Sequence, residues 1–344
     1  MRRRDLGKMA IGALLMDWAN RASAAPAGGL DAVAPELVPY LRDRPARDLS
    51  PDTLPQWRGA PPAHPFPAAP PPAPRIRTHV LEGGKGVSVR ALVVDPKPGE
   101  AGKPAILYLH GGGYVMFGAD RAPGLLQDLA KSLGCVVVAV DYRLAPEHPF
   151  PAALDDAAAA FRWLHRAAPS LGIDVNRIAI CGESAGGGLA ASLAISLRQS
   201  GLPGIACQAL IYPMLDDRTG SVGRVPASVG QFVWTEHSNR FAWTSYLGVA
   251  AGSATVPAGA VPARVTDLAG LPPTFIGVGS LDLFAPECIA FAGRLVDAGV
   301  PTEVHVEPGA VHGFDLIAPQ THVARRFTAR WRDALRRGLR AGEA

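Results

Sequence analysis

Ser184 lies in Gly182-Glu183-Ser184-Ala185-Gly186, between the apolar run RIAIC (Arg177–Cys181) and the small-residue stretch GGGLAASLAI. A serine hydroxyl is a weak nucleophile until a base and a strained, exposed position activate it. G-x-S-x-G supplies that position when a strand precedes it and a helix follows. Without those flanks the pattern is weak, but here both are present. Side chains at Gly182 or Gly186 would collide with neighbouring backbone. The following helix aims its N-terminus at the site, which favours a developing anion. Upstream, the run AILYL ends at His110-Gly111-Gly112-Gly113-Tyr114. Consecutive glycines let successive N–H groups bend toward one oxygen. Gly111, Gly112 and Gly113, with the N–H of Ala185, are therefore expected to bind the oxyanion of a tetrahedral intermediate. His110 is expected to brace that loop. The chemistry these residues could perform is acyl transfer.

The serine needs a base and the base an orienting carboxylate, in the chain order Ser, acid, His. Of the nine histidines, His312 has the right place, in the loop PGAVHGFD after the last strand. His305 falls within that strand, His322 in the terminal helix, His237 in an irregular insertion and His148 in the segment PEHPF. The acid is expected at the carboxyl end of the preceding strand, where Thr274–Val278 leads through Gly279-Ser280-Leu281 to Asp282. Asp267 comes before that strand and Asp297 within the next helix. Glu287 is the competitor, and an acid there suits the first turn of a helix.

The elements that must position these residues alternate along the chain. Val87–Val94, Pro104–Leu109, Cys135–Val140, Arg177–Cys181, Cys207–Ile211, Thr274–Val278 and Thr302–Val306 read as strands, mostly uninterrupted apolar runs. Pro123–Leu133, Ala152–Ala167, Gly187–Gln199 and Pro286–Ala298 read as helices. Such alternation describes a mostly parallel sheet covered by helices on both faces. Leu30–Leu41 carries helical spacing for one or two short helices. Pro51–Pro74 holds ten prolines and is expected to form no regular element. Met214–Val261 breaks the rhythm with Phe232, Trp234, Phe241, Trp243 and Tyr246, which suits a lid or, alternatively, one more core helix.

On these motifs the chain resembles the hormone-sensitive-lipase-like carboxylesterases of the α/β-hydrolases. DYRLAPEHPFPAALDDA (Asp141–Ala157), LIYPMLDDRT from Leu210 and the FVWT…YLG region between Phe232 and Gly248 are similar to that family's segments. Glu183 departs from it, standing where the family most often carries Asp or Thr. The resemblance implies an α/β-hydrolase fold with a cap, catalysis by Ser184, Asp282 and His312, no metal or organic cofactor, and short acyl or aryl esters as substrates. An amidase or lipase on the same three residues, and a non-catalytic binding relative, are the rival readings. The expected organisation is a signal peptide over 1–24, cap helices and the proline-rich arm over 25–75, and a catalytic domain over 76–344 with a cap segment at about 214–261.

Composition agrees with a globular enzyme: 48% of residues are apolar and 19% charged, too apolar for disorder. Cys135, Cys181, Cys207 and Cys288 are scattered, which suits neither a disulfide framework nor a cysteine zinc site. The net charge of +4 carries no basic clusters with interleaved aromatics, so nucleic acid is not an expected partner. A small-molecule ester is the expected partner, without stable membrane insertion, and a homodimer is left open. The opening MRRRDLGKMAIGALLMDWANRASAAPA orders basic, apolar and small residues as an export signal does, with a twin-arginine-like Arg3-Arg4. Export to periplasm or medium is expected; the alternative is a cytoplasmic protein that keeps this stretch as an amphipathic helix. Five cations against two acids stand before Ala25, so removing the leader would take three of the four net charges.

Overall fold

The computed structural model describes residues 29–42, 48–59, 72–83, 86–198 and 204–340; the expected leader lies outside them. Eight strands form one sheet: β1 (Ile76–Glu82), β2 (Ser88–Val94), β3 (Lys103–Leu109), β4 (Val136–Val140), β5 (Ile173–Glu183), β6 (Cys207–Ile211), β7 (Thr274–Gly279) and β8 (Thr302–Glu307), in the order β1-β2-β4-β3-β5-β6-β7-β8. β1 and β2 pair antiparallel, as do β2 and β4, and the rest of the sheet is parallel. The most apolar runs lie in the middle: every residue of β3, β4 and β6 is buried. That is the burial expected of parallel strands with helices on both faces. Lys103, itself buried, is neutralised by Asp95, whose two oxygens accept from Nζ at 2.9 and 2.8 Å.

The helices are α1 (Val38–Leu41), α2 (Leu54–Gly59), α3 (Pro123–Leu133), α4 (Ala152–Leu171), α5 (Ala185–Arg198), α6 (Glu236–Leu247), α7 (Ala285–Asp297), α8 (Phe314–Ile317) and α9 (His322–Arg340). α9 buries Phe327, Trp331, Leu335 and Leu339, a four-residue spacing that lays one stripe on the sheet. α6 arises within the irregular insertion. Its Trp243 and Tyr246 are buried, and Tyr246 stacks on Tyr114 with ring centroids 3.9 Å apart.

Two of the structure's departures from the sequence-based expectations have a plain local cause. β1 is not among the expected strands, because only Leu81 of its seven residues is buried, and an edge strand of this kind shows little apolar pattern. The proline-rich segment is expected to hold no regular element, yet α2 forms within it. Pro55 falls in the helix's first turn, where an N–H has no intrahelical acceptor to lose. Ser50 and Thr53 brace the entry, each hydroxyl accepting from the other's N–H, at 2.9 and 3.2 Å.

The topology brings the expected site residues to one place. β3 and β5 are neighbours, and the chain leaves β3 toward β4 on one side and β5 toward β6 on the other, which opens a crevice at their carboxyl ends. The glycine loop follows β3, Ser184 follows β5, Asp282 follows β7 and His312 follows β8.

Candidate active site

Ser184 occupies the left-handed region at φ 56°, strained for a residue with a side chain. The surrounding backbone holds it there: its N–H donates to the Ile211 carbonyl at 2.9 Å, and its own carbonyl accepts from Gly188 and Met214, each at 3.0 Å. Gly186 makes the turn feasible, since a Cβ there would lie 2.0 Å from the Leu109 carbonyl oxygen. His312 Nε2 lies 3.0 Å from Ser184 Oγ, and His312 Nδ1 lies 2.8 Å from Asp282 Oδ2. The second carboxylate oxygen of Asp282 accepts from the Phe284 N–H at 2.9 Å, which fixes the group's rotation. Asp282 is fully buried, and Ser184 and His312 are each 6% exposed. Aromatic rings hold the imidazole on several sides. Phe284 meets it edge-on at 5.2 Å and Tyr212 at 4.9 Å, with Trp234 tilted at 6.0 Å.

The competing residues lie elsewhere. His148, His237 and His322 are exposed, and His305 pairs with Glu307 at 2.8 Å on β8. Asp267 and Asp297 are exposed. Glu287 is buried in the first turn of α7. There it accepts from the Leu215 and Asp216 N–H groups at 2.6 and 3.2 Å and from the Thr219 hydroxyl, so it pins the loop after β6. Burial pushes its carboxyl well above the usual range.

The glycine loop differs from expectation at one residue. The Gly111 N–H donates to Glu183 Oε1 at 3.0 Å, so this donor is already taken and leaves the expected oxyanion set. The N–H groups of Gly112, Gly113 and Ala185 take no acceptor among the described residues. Gly112 sits at φ 117°, and a Cβ there would lie 2.2 Å from the Met116 carbonyl oxygen, so only glycine permits this bend. Glu183 holds the loop between two donors, since the Tyr108 hydroxyl donates to its other oxygen. Burial raises its carboxyl to about 7 even though both hydrogen bonds pull the other way. His110 braces the loop as expected: Nδ1 contacts the Gly111 carbonyl at 2.8 Å and the ring stacks on Tyr142 at 4.1 Å. Burial lowers its pKa, which favours the neutral ring.

Several residues of the site lie outside the sequence-based expectations. Tyr212, at φ 35°, packs on His312 and donates to Asp315 Oδ1 at 2.8 Å; burial raises that carboxyl to about 6. Tyr108, two residues before His110, and Asp315, three after His312, are within reach of a motif reading that looks beyond the reacting atoms. Leu41, Leu49 and Trp57 of the N-terminal arm carry no such signal. They line one side of a cavity of about 160 Å³ above Ser184, with Phe117, Phe232 and Leu316 on other sides. Among the described residues no group of three His, Cys, Asp or Glu could hold a metal ion, and no helix is long and apolar enough to cross a membrane.

A family profile described as the alpha/beta hydrolase fold matches residues 106–316. This chain belongs to the α/β-hydrolases, in their hormone-sensitive-lipase-like carboxylesterase branch. Esterase LipI of Mycobacterium tuberculosis is 38% identical over 241 residues, spanning 70% of this chain and 74% of that protein. An ethyl acetate hydrolase of Pseudomonas putida is 38% identical over 61% of this chain and 65% of its own length. Among solved structures, a bacterial heroin esterase superposes with a TM-score of 0.80 at 35% identity, covering 90% of this chain and 99% of that one. The chain is a carboxylic ester hydrolase.

Proposed function

We propose that the protein hydrolyses short-chain acyl or aryl esters through an acyl-enzyme on Ser184. The observation that carries this reading is the continuous chain of contacts from Ser184 Oγ to His312 at 3.0 Å and on to Asp282 at 2.8 Å, at the floor of a largely apolar cavity. His312 takes the hydroxyl proton as Oγ attacks the ester carbonyl, and the carbonyl oxygen, now an anion, settles on the N–H groups of Gly112, Gly113 and Ala185. His312 then gives its proton to the departing alcohol. Water repeats the sequence on the acyl-enzyme and releases the acid. Asp282 keeps the Nδ1–H tautomer and stabilises the imidazolium.

Cavity size supports short substrates. About 160 Å³ is below the roughly 300–1,000 Å³ of pockets that hold drug-sized ligands. In a p-nitrophenyl ester series kcat/KM is expected to peak at or below hexanoate. A maximum beyond about ten carbons would make the protein a long-chain lipase instead, because pocket length sets that choice.

Glu183 contributes by holding Gly111 and, through it, the loop's two free donors, Gly112 and Gly113. Deleting one oxyanion donor costs about 10²–10³ in kcat. Glu183→Ala displaces donors rather than deleting them, so kcat is expected to fall by about tenfold to a hundredfold with KM within about threefold. Glu183→Gln, which keeps an acceptor for the Gly111 N–H, should recover most of the loss. Equal kcat in wild type and Glu183→Ala would remove Glu183 from this role.

A further inference from the structure

The N-terminal arm is fastened across the cavity at two points. At its start, the Leu49 N–H donates to Ser238 Oγ at 3.0 Å, and Asp48 accepts from the Thr235 hydroxyl, which ties it to the first turn of α6. At its end, Arg58 makes four bonds. Nε donates to the Val115 carbonyl at 2.7 Å and Nη2 to the Ala145 carbonyl at 2.8 Å, while Nη1 and Nη2 grip the two oxygens of Glu147 at 2.7 and 2.9 Å. Both carbonyls belong to the frame behind the glycine loop. The Val115 N–H donates to the Gly112 carbonyl at 3.0 Å, and the Ala145 N–H to the Tyr114 carbonyl at 2.9 Å. Between the two fastenings Leu49 and Trp57 face the cavity above Ser184.

We infer that Arg58, clasped by Glu147, is a specificity-determining positioning residue that seats Trp57 as a wall of the ester pocket. Trp57 cannot seat itself: its indole N–H is buried with no acceptor among the described residues, so the ring is held by packing and by its neighbour. The guanidinium suits this role because its planar fork can take a carboxylate in two parallel bonds and still reach backbone carbonyls, which a lysine ammonium cannot do with fixed geometry. Arg58 holds the Glu147 carboxyl down at about 2, so the pair stays ionised across the working pH range. The side chains are 29% and 55% exposed, and an ion pair that open contributes little by itself. The two carbonyl bonds therefore supply the direction, and Glu147 holds the fork in the plane that makes them. The proline-rich arm thus carries one side of the pocket, and its contacts select for the ester's bulky apolar group rather than for the reacting carbonyl.

The inference rests on the proposed esterase reading, and the test separates the two. Rates are compared for two substrate pairs, p-nitrophenyl hexanoate against acetate and benzyl acetate against ethyl acetate, in wild type, Arg58→Ala, Glu147→Ala and Trp57→Ala. Amide hydrogen exchange over residues 54–59 is followed in the same proteins. In Arg58→Ala the kcat/KM ratio of bulky to small ester is expected to fall about tenfold in at least one pair, through KM. Trp57→Ala should reproduce that fall. Glu147→Ala, which leaves Arg58 its carbonyl bonds, should give a smaller one. Exchange in α2 should rise about tenfold in Arg58→Ala, a readout that needs no turnover. Ratios within about twofold of wild type in both pairs, or unchanged exchange, would overturn the inference. A wild type inactive on all four esters would instead overturn the esterase reading, leaving the exchange result to decide the clasp.

Discussion

Ser184→Ala is expected to lower kcat on p-nitrophenyl acetate by about a million-fold while the fold survives. The substitution removes only Oγ. The backbone bonds that hold the turn, from the Ser184 N–H to Ile211 and from Gly188 and Met214 to the Ser184 carbonyl, involve no side-chain atom. Alanine tolerates φ 56° no better and little worse than serine, so thermal unfolding should move by no more than a few degrees. Residual rate above the water reaction, about 10³–10⁴, would come from the donors of Gly112, Gly113 and Ala185 and from substrate binding. The check is a progress curve at high enzyme concentration beside a melting curve. Activity within tenfold of wild type would place the chemistry on another residue.

Asp282→Asn is expected to cost about 10⁴ in kcat at neutral pH with little change in fold. The amide is the same size as the carboxyl and fits the fully buried position, and its oxygen can still accept from the Phe284 N–H. Its NH₂ then faces His312 Nδ1, which must become an acceptor. The ring proton moves to Nε2 and points at Ser184 Oγ, where the reaction needs a lone pair. The base is present in the wrong tautomer, and the imidazolium formed during attack loses its counter-charge. A loss shared equally by kcat and kcat/KM would locate the defect in the transition state. If Asp282→Asn kept wild-type kcat, the orienting acid would have to be another carboxylate. Glu287 is already committed to Leu215, Asp216 and Thr219.

How much of this is legible in the sequence follows from what each residue depends on. Ser184 and Asp282 stand just after strongly apolar strands and His312 after the more polar β8, so the alternation of strands and helices along the chain brings them to one edge of the sheet. The glycine loop is equally legible as a loop. What it donates is not, because Gly111 is claimed by Glu183, a residue 72 positions away whose reach depends on the pairing of β3 with β5. Asp315 sits near enough to His312 to be noticed, but its partner Tyr212 is hidden for the same reason, since their contact joins the end of β6 to the start of α8. The arm is the least legible part. Its prolines argue against a helix unless the first turn is known to hold Pro55, and Leu41, Leu49 and Trp57 mean nothing until the sheet edge they cover exists.

The central claim, that acyl transfer runs through Ser184, is tested most directly by covalent capture. Wild-type protein and Ser184→Ala are each incubated with a fluorophosphonate, and the intact mass, the modified peptide and ester hydrolysis are followed together. One adduct per wild-type chain is predicted, on the peptide containing Ser184, forming at the rate at which hydrolysis is lost, with no adduct on Ser184→Ala. An adduct on any other residue that tracks the loss of activity, or an active wild type that takes no label, would contradict it.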